Sequence, residues 1–423
     1  MNNPFSLVIW AWPYLHTPLF YLVPIVGVPL LVYVLRKRWM DYIRLQNILK
    51  TDWALLEIIM PKNVFKSPQS MEIVLGAFQQ TYAGTWWTRL TQGTYRTWFS
   101  LEMVSLEGKV HFYIRTLRFF KDLIETQIYG QYPDVEIREA DDYTHLMKYG
   151  IEPGWELAGH VMKLAQPDAY PIKTYVDYGL DNLASKEETK TDPLNLTIEY
   201  LGSLGKGEYA FIQILVQAAQ KRFHKPGTWF EKQDWHDEGL ELIKKISKQD
   251  DAVKAGKGDA PVIPAMFKLT PGETEIVKAV ERSLGKLGFD CGIRRLYAAK
   301  KEDYKLPHQL GLGNTLAQYT TLNLNGFKGA YDTSVESVFK QWTGSAKHEL
   351  KYIKETIAND YRNRNFFYPP FPHKYHHKYK PHPFVLNTEE LATIFHIPGG
   401  VTTTGNLPRI ESKKSEAPTN LPI

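Results

Sequence analysis

Four histidines, His373, His376, His377 and His382, crowd into a short stretch near the C-terminal end, and neutral imidazole is the commonest metal ligand. Their neighbours argue against a metal: Lys374, Lys378 and Lys380 would repel a cation, and no carboxylate lies between Asp360 and Glu389. The same stretch carries Tyr375 and Tyr379. It reads as an extended, basic, aromatic-rich arm for docking a protein partner, and interleaved charge and aromatics also suit single-stranded nucleic acid. Acidic pairs such as Asp141-Asp142 and Glu187-Glu188 are candidate acid/base groups. Neighbouring side chains on a strand point to opposite faces, so both pairs read as solvated. The glycine cluster Gly202-Ser-Leu-Gly205-Lys-Gly207 lacks the spacing and the Ser/Thr of a phosphate loop. No zinc-hydrolase, paired-cysteine or serine-hydrolase motif occurs either. The expectation is therefore a chain without catalytic residues, bound cofactor or metal.

Among the elements that position these residues, Trp53 to Met60 reads as an apolar strand ended by Pro61, and Ser67-Pro68 opens a helix running to about Tyr82. Two alternating runs, 98–107 and 109–116, meet at Gly108 as a hairpin. A helix over 118–130 and a strand over 135–140 follow, which completes the order β-α-β-β-α-β of a ferredoxin-like unit. A second copy is read from a strand at 155–165, a helix at 192–203, a strand at 208–218, a helix at 271–287 and a strand at 289–300. Residues 221–264 interrupt it with a stretch too polar to pack, QDDAVKAGKGDAP. Trp86-Trp87, with Tyr95 and Trp98, form an aromatic patch suited equally to an interface and to core packing. The predicted class is α+β, with a membrane helix ahead of two tandem ferredoxin-like domains. The division is 1–50 anchor and juxtamembrane helix, 51–147 first domain, 150–305 second domain, 306–368 helical segment and 369–423 extended basic tail.

The anchor is the apolar run from Pro18 to Leu35, 18 residues without a charge, against about 20 needed to cross the roughly 30 Å hydrocarbon layer as a helix. Pro18, Phe20, Leu22, Val26, Leu31 and Val34 represent its apolar surface. Arg36, Lys37 and Arg38 end it, and Met1 to Thr17 carries no lysine or arginine. Basic residues favour the cytoplasmic side, which puts the N-terminus outside and the body in the cytoplasm as a single-pass protein of the cytoplasmic membrane. A signal peptide has its basic residues before the apolar stretch, and a buried core helix is amphipathic; neither pattern is present. Pro24, Gly27 and Pro29 predict a kink. Trp39 to Leu49 reads as an amphipathic juxtamembrane helix. The single cysteine, Cys291, excludes an internal disulfide and suits a reducing compartment. A formal net charge of +5, from 51 Lys+Arg against 46 Asp+Glu, is too mild to imply nucleic acid without a local cluster.

Phe99 to Tyr143, Leu324-Asn325-Gly326-Phe327 and Phe384 to Pro398 (FVLNTEELATIFHIP), with Arg409 to Lys414 and Asn420-Leu421-Pro422, resemble the N-terminal, non-motor region of membrane-anchored conjugation and type IV secretion ATPases of candidate-phyla-radiation bacteria. In that family the motor with its phosphate loop follows the equivalent of Asn420-Leu421-Pro422. The resemblance thus implies a membrane-anchored platform whose ATPase is a separate chain or absent, and it assigns no catalytic residue here. Its implied partners are the lipid bilayer and a separate secretion or conjugation ATPase, with a homo-oligomer compatible. The helix at Thr388 to Phe395 and the tail after it would lead towards that motor. The rival expectation is a membrane-tethered nucleic-acid-binding protein using the arm and the basic stretch 221–257.

Overall fold

The computed structural model describes residues 23–61, 66–181, 191–221, 223–224, 228, 230–247, 269–333, 345–368, 382–398 and 409–410. The chain divides into two compact units. One comprises Met1–Thr51 and Tyr82–Arg96, the other Asp52–Thr81 and Thr97–Ile423.

In the small unit, a π-helical turn at Val23–Gly27 leads directly into helix α1, Val28–Lys50. Pro29 falls in the first turn of α1, where its missing N–H has no helical partner to lose. The predicted juxtamembrane helix at 39–49 is the continuation of the same rod. Among the described residues no helix is long and apolar enough to cross a membrane. The described apolar part, Val23 to Leu35, spans about 20 Å at ~1.5 Å per residue. Pro18, Phe20 and Leu22 lie outside the described residues.

The large unit is a mixed α+β body on one mostly antiparallel sheet. Its first half contains β1 (Trp53–Pro61), α2 (Gln69–Gly76), β2 (Phe99–Leu106), β3 (Lys109–Leu117), α4 (Lys121–Gln131) and β4 (Glu136–Glu139); helix α3 (Trp86–Thr91) belongs to the small unit. The hairpin turns at Glu107 and Gly108, both with positive φ, as a two-residue turn matched to strand twist requires. α2 ends at Gly76, short of the predicted Tyr82. The second half contains β5 (Trp155–Leu164), α5 (Leu194–Gly202), β6 (Glu208–Ala218), the short ribbon β7 (Phe223–His224) with β8 (Lys232–Gln233), α6 (Trp235–Ile246), α7 (Pro271–Leu284) and β9 (Gly288–Lys300). α8 (Leu306–Asn314), β10 (Phe327–Asp332), α9 (Ser345–Arg362), β11 (Phe384–Asn387), α10 (Thr388–Ile394) and β12 (Arg409–Ile410) follow.

The strands lie in the order β10-β5-β9-β6-β2-β3-β1, with β4 and β12 both on β1 and β11 on β9. The two halves are thus one sheet, joined where β2 pairs antiparallel with β6 from Phe99↔Val216 to Leu106↔Tyr209. Outward from that seam the orders correspond: β2-β3-β1-β4 on one side, β6-β9-β5-β10 on the other. The division at residue 305 and the wholly helical reading of 306–368 need correction, because β10 supplies the outermost strand of the second half. Its sequence FKGAYD is poor in β-branched residues and its pairing with β5 slips between Gly329 and Tyr331, the weak pattern of a bulged edge strand. Helix α7 lies where the sequence places it, in the connection between β6 and β9, and the helix of the β9-to-β10 connection is α8.

Alternation along the strands separates two faces. One carries Phe99, Leu101, Met103, Phe112, Ile114, Ile212, Ile214 and Ile293 into a continuous core with Val74 of α2, Ile124 of α4, Ile198 of α5 and Leu391 of α10. The other carries Phe211 against Tyr361 of α9, with ring centroids 5.2 Å apart.

Candidate functional site

Between Ile25 and Leu35 the large apolar side chains of the π-helical turn and α1 are 43–70% exposed, and Val26, Leu31 and Val34 are among them. Arg36, Lys37 and Arg38 are exposed directly after. Up to Leu35 the helix therefore shows apolar side chains all round rather than on a stripe. Of the arm, His373, Tyr375, His376, His377 and Tyr379 lie outside the described residues, and His382 is exposed. The residues of the expected aromatic patch are divided between the two units. Trp98 is buried against Trp53 in the large unit, ring centroids 4.8 Å apart, whereas Trp86 and Trp87 are exposed in the small one.

Sequence reading missed the polar chemistry inside the large unit, because its partners are far apart in the chain. Glu102 on β2 and Arg364 after α9 are both buried. The guanidinium donates from Nε to Glu102 Oε1 at 3.0 Å and from Nη2 to Oε2 at 3.2 Å, and from Nη1 to Asp142 Oδ2 at 2.6 Å. Glu102 also accepts from Ser100 Oγ (2.5 Å), Tyr143 Oη (2.6 Å) and Gln213 Nε2 (3.2 Å). Burial alone would push its carboxyl up, but the adjacent Arg364 and these hydroxyls hold it below the usual range. It is an ionised, saturated, water-excluded group, which makes it a tie between strand and loop rather than an acid or base. Asp142, read as solvated, keeps an exposed edge yet completes the fork. Arg294 is buried beside them with neutral acceptors, Gln213 Oε1 at 3.0 Å and the Asp360 carbonyl at 3.1 Å, and burial lowers its pKa.

Glu208 is a second saturated carboxylate. It accepts from Tyr297 Oη (2.5 Å), His308 Nδ1 (2.6 Å), Gly205 N (2.7 Å) and Lys305 Nζ (2.9 Å). Burial opposes ionisation, yet those donors hold its pKa down at about 2. The glycine cluster at 202–207 thus turns around a carboxylate of the same chain. Asp234, His236 and Asp237 bring potential metal-ligand atoms within 4.8 Å of one another. Both carboxylates already serve the N-terminus of α6, where Asp237 N donates to Asp234 Oδ1 at 3.1 Å and Asp234 N to Asp237 Oδ2 at 3.3 Å.

Phe384 to Ile397, which contains the helix expected at Thr388 to Phe395, is buried throughout. β11 pairs with β9 from Phe384↔Cys291 to Asn387↔Gly288. Asn387 then caps α10 reciprocally with Glu390, whose Oε1 also accepts from Ile172 N at 2.8 Å. Burial pushes the Glu390 carboxyl up to about 8. Beside it Glu389 accepts from Thr174 Oγ1 at 2.6 Å and Arg282 Nε at 2.9 Å. His396 closes the segment against Asp192, 2.9 Å from Nε2. Cys291 is buried, with its thiol on the Phe289 carbonyl.

A family model described as a domain of unknown function (DUF8128) matches residues 45–407. The chain belongs to the DUF8128 family. The DUF8128 match takes in both halves of the sheet, the inserted segment 82–96 and the buried strand–helix at 384–397, and it begins after the apolar part of α1. No curated protein matches the chain.

Proposed function

We propose that this protein is a non-enzymatic, membrane-anchored platform of a type IV secretion or conjugation-like machine, which docks and positions a separate hexameric ATPase. The observation that carries the reading is α1, exposed and apolar all round up to Leu35 and closed by Arg36-Lys37-Arg38. Continued back to Pro18, the run reaches the length of a short membrane span, with the N-terminus outside and the body in the cytoplasm. The two sheet halves are read as ferredoxin-like units fused edge to edge, a rigid body for presenting a docking surface. Its best-defined carboxylates, Glu102 and Glu208, are saturated by donors of the same chain, which favours scaffolding over catalysis. The arm around Tyr375 and Tyr379 is the proposed contact with the motor.

Because Phe384 to Ile397 is core, the test must leave it intact. Tyr375, Tyr379 and the four histidines are replaced by serine in the full chain, and each form is affinity-captured from detergent-solubilised native membranes. Recovery of a phosphate-loop ATPase with the parent chain and its loss with the substituted arm are expected. Recovery of no ATPase with the parent chain would overturn the reading.

A further inference from the structure

The insertion at 82–96 is built tightly yet leaves its aromatics in water. Gly84 and Gly93 adopt positive φ, and a Cβ at Gly93 would stand 2.5 Å from the Ile43 backbone, so the loop lies directly on α1. Thr85 caps α3 through Thr88 N at 3.3 Å, Thr88 Oγ1 meets Thr94 Oγ1 at 3.1 Å, and Arg89 Nε donates to the Ala83 and Gly84 carbonyls. Trp39 Nε1 donates to the Leu90 carbonyl at 3.1 Å and Asn47 Nδ2 to the Gly93 carbonyl at 3.3 Å. Each of these bonds fixes the backbone. None hides the side chains: Tyr82 is 74%, Trp86 60% and Trp87 62% exposed, and on α1 Trp39 and Tyr42 are 53% and 57% exposed.

The placement of this group is specific. Trp39 is one helical turn beyond the last apolar residue of the run, Leu35, and Arg36, Lys37 and Arg38 fill the turn between. The segment 82–96 adds Arg89 and Arg96 and contains no acid, while Asp41 on α1 is neutralised by Arg44 at 3.3 Å. Indole and phenol rings, apolar in body and polar at one edge, concentrate at the membrane–water interface, and basic residues beside them meet anionic headgroups. We propose that Tyr82, Trp86 and Trp87, together with Trp39 and Tyr42, form an interfacial collar seated in the headgroup layer of an anionic bilayer. The insertion is then a second membrane contact that fixes the depth of α1. This deepens the anchor reading and rests on it.

The test uses the full chain in vesicles of phosphatidylcholine and phosphatidylglycerol, with a nitrobenzoxadiazole probe on Trp87→Cys, on Tyr82→Cys as a second collar position, and on Leu49→Cys. Leu49 is exposed on the same unit, about 15 Å further along α1 at ~1.5 Å per residue, and buried Cys291 is sheltered from the label. Lipids spin-labelled near the headgroup are expected to quench the probes at 87 and 82 and to leave 49 bright. If 87 and 82 stay as bright as 49 while the chain resists carbonate extraction, the collar is refuted and the anchor stands. Release of the chain by carbonate would refute the anchor itself.

Discussion

The small unit displays apolar residues that globular proteins hide, and the large unit hides charges that they display. Along α1 the apolar side chains from Ile25 to Leu35 face outward, whereas Glu102, Glu208, Arg294 and Arg364 are buried in the body. The contrast separates two sources of order. In the large unit, each buried charge is fixed by several directional donors or acceptors, and removal of one leaves the rest unpaired in a medium of low dielectric. In the small unit, order comes from bonds of α1 side chains to carbonyls of the segment 82–96, and the apolar surface stays uncovered. A lone exposed Leu on an ordinary protein needs no explanation, but a run of them around a helix does.

The sharpest way to break the contrast is Arg364→Met, which strands Glu102 as an uncompensated buried charge. A loss of about 3–5 kcal/mol is expected, read by urea unfolding in detergent, and Glu102→Gln combined with Arg364→Met should recover most of it. An equal loss in the double variant would show that packing, not charge, is what Arg364 provides. On the other unit, Leu31→Asp should leave the body's unfolding midpoint unchanged and oppose membrane insertion by about 2.5–3.5 kcal/mol. Carbonate-resistant association would then fall, and its persistence would argue against the apolar run as a span.

Asp192→Asn tests a titrating pair within the body and should cost about 1.5–3 kcal/mol at pH 6. Burial alone would lower the His396 pKa, but Asp192 raises it above its ordinary 6.5; burial alone would raise Asp192, but His396 lowers it below its ordinary 3.8. The histidine's contribution is complete below 6.5 and lost as pH rises through its raised value. The aspartate's is complete above 3.8 and lost as pH falls through its lowered value. The stability difference between parent and variant should thus be widest between pH 3.8 and 6.5 and shrink on the alkaline side; a difference independent of pH would dismiss the ion pair. Arg118→Ala should have the smallest effect. Its bonds to Asp52 (2.7 Å) and Glu139 (2.6 Å) are solvent-exposed, so the thermal midpoint should stay where it is.

Local structure was legible wherever periodicity and turn chemistry agree. The strand 208–218, the hairpin at Gly108 and the strand at 289–300 could be placed within a residue or so, because alternation and glycine specify them from within. The pairing of β2 with β6 was not legible, since nothing in either strand names an edge partner about a hundred residues away. β10 was lost for lack of β-branched residues. Phe384 to Pro398 announces a strand, an Asn387 cap and a helix, but its destination on β9 depends on tertiary contacts alone. The ties Arg364–Glu102 and His396–Asp192 join residues 262 and 204 apart, beyond the reach of any spacing rule. The exposure of Trp86 and Trp87 was equally hidden, because a tryptophan pair reads the same in a core and on a surface.

The seam between β2 and β6 also sets a clock during synthesis. The first four strands, residues 53–139, are made before β6 at 208–218, and the β2 edge has no mate until β6 is made. At ~5–20 residues per second, about a hundred residues of delay leave that edge open for roughly 5–20 s. An unpaired strand edge is a template for joining another chain, and nascent copies crowded along one translated message would meet at that edge first.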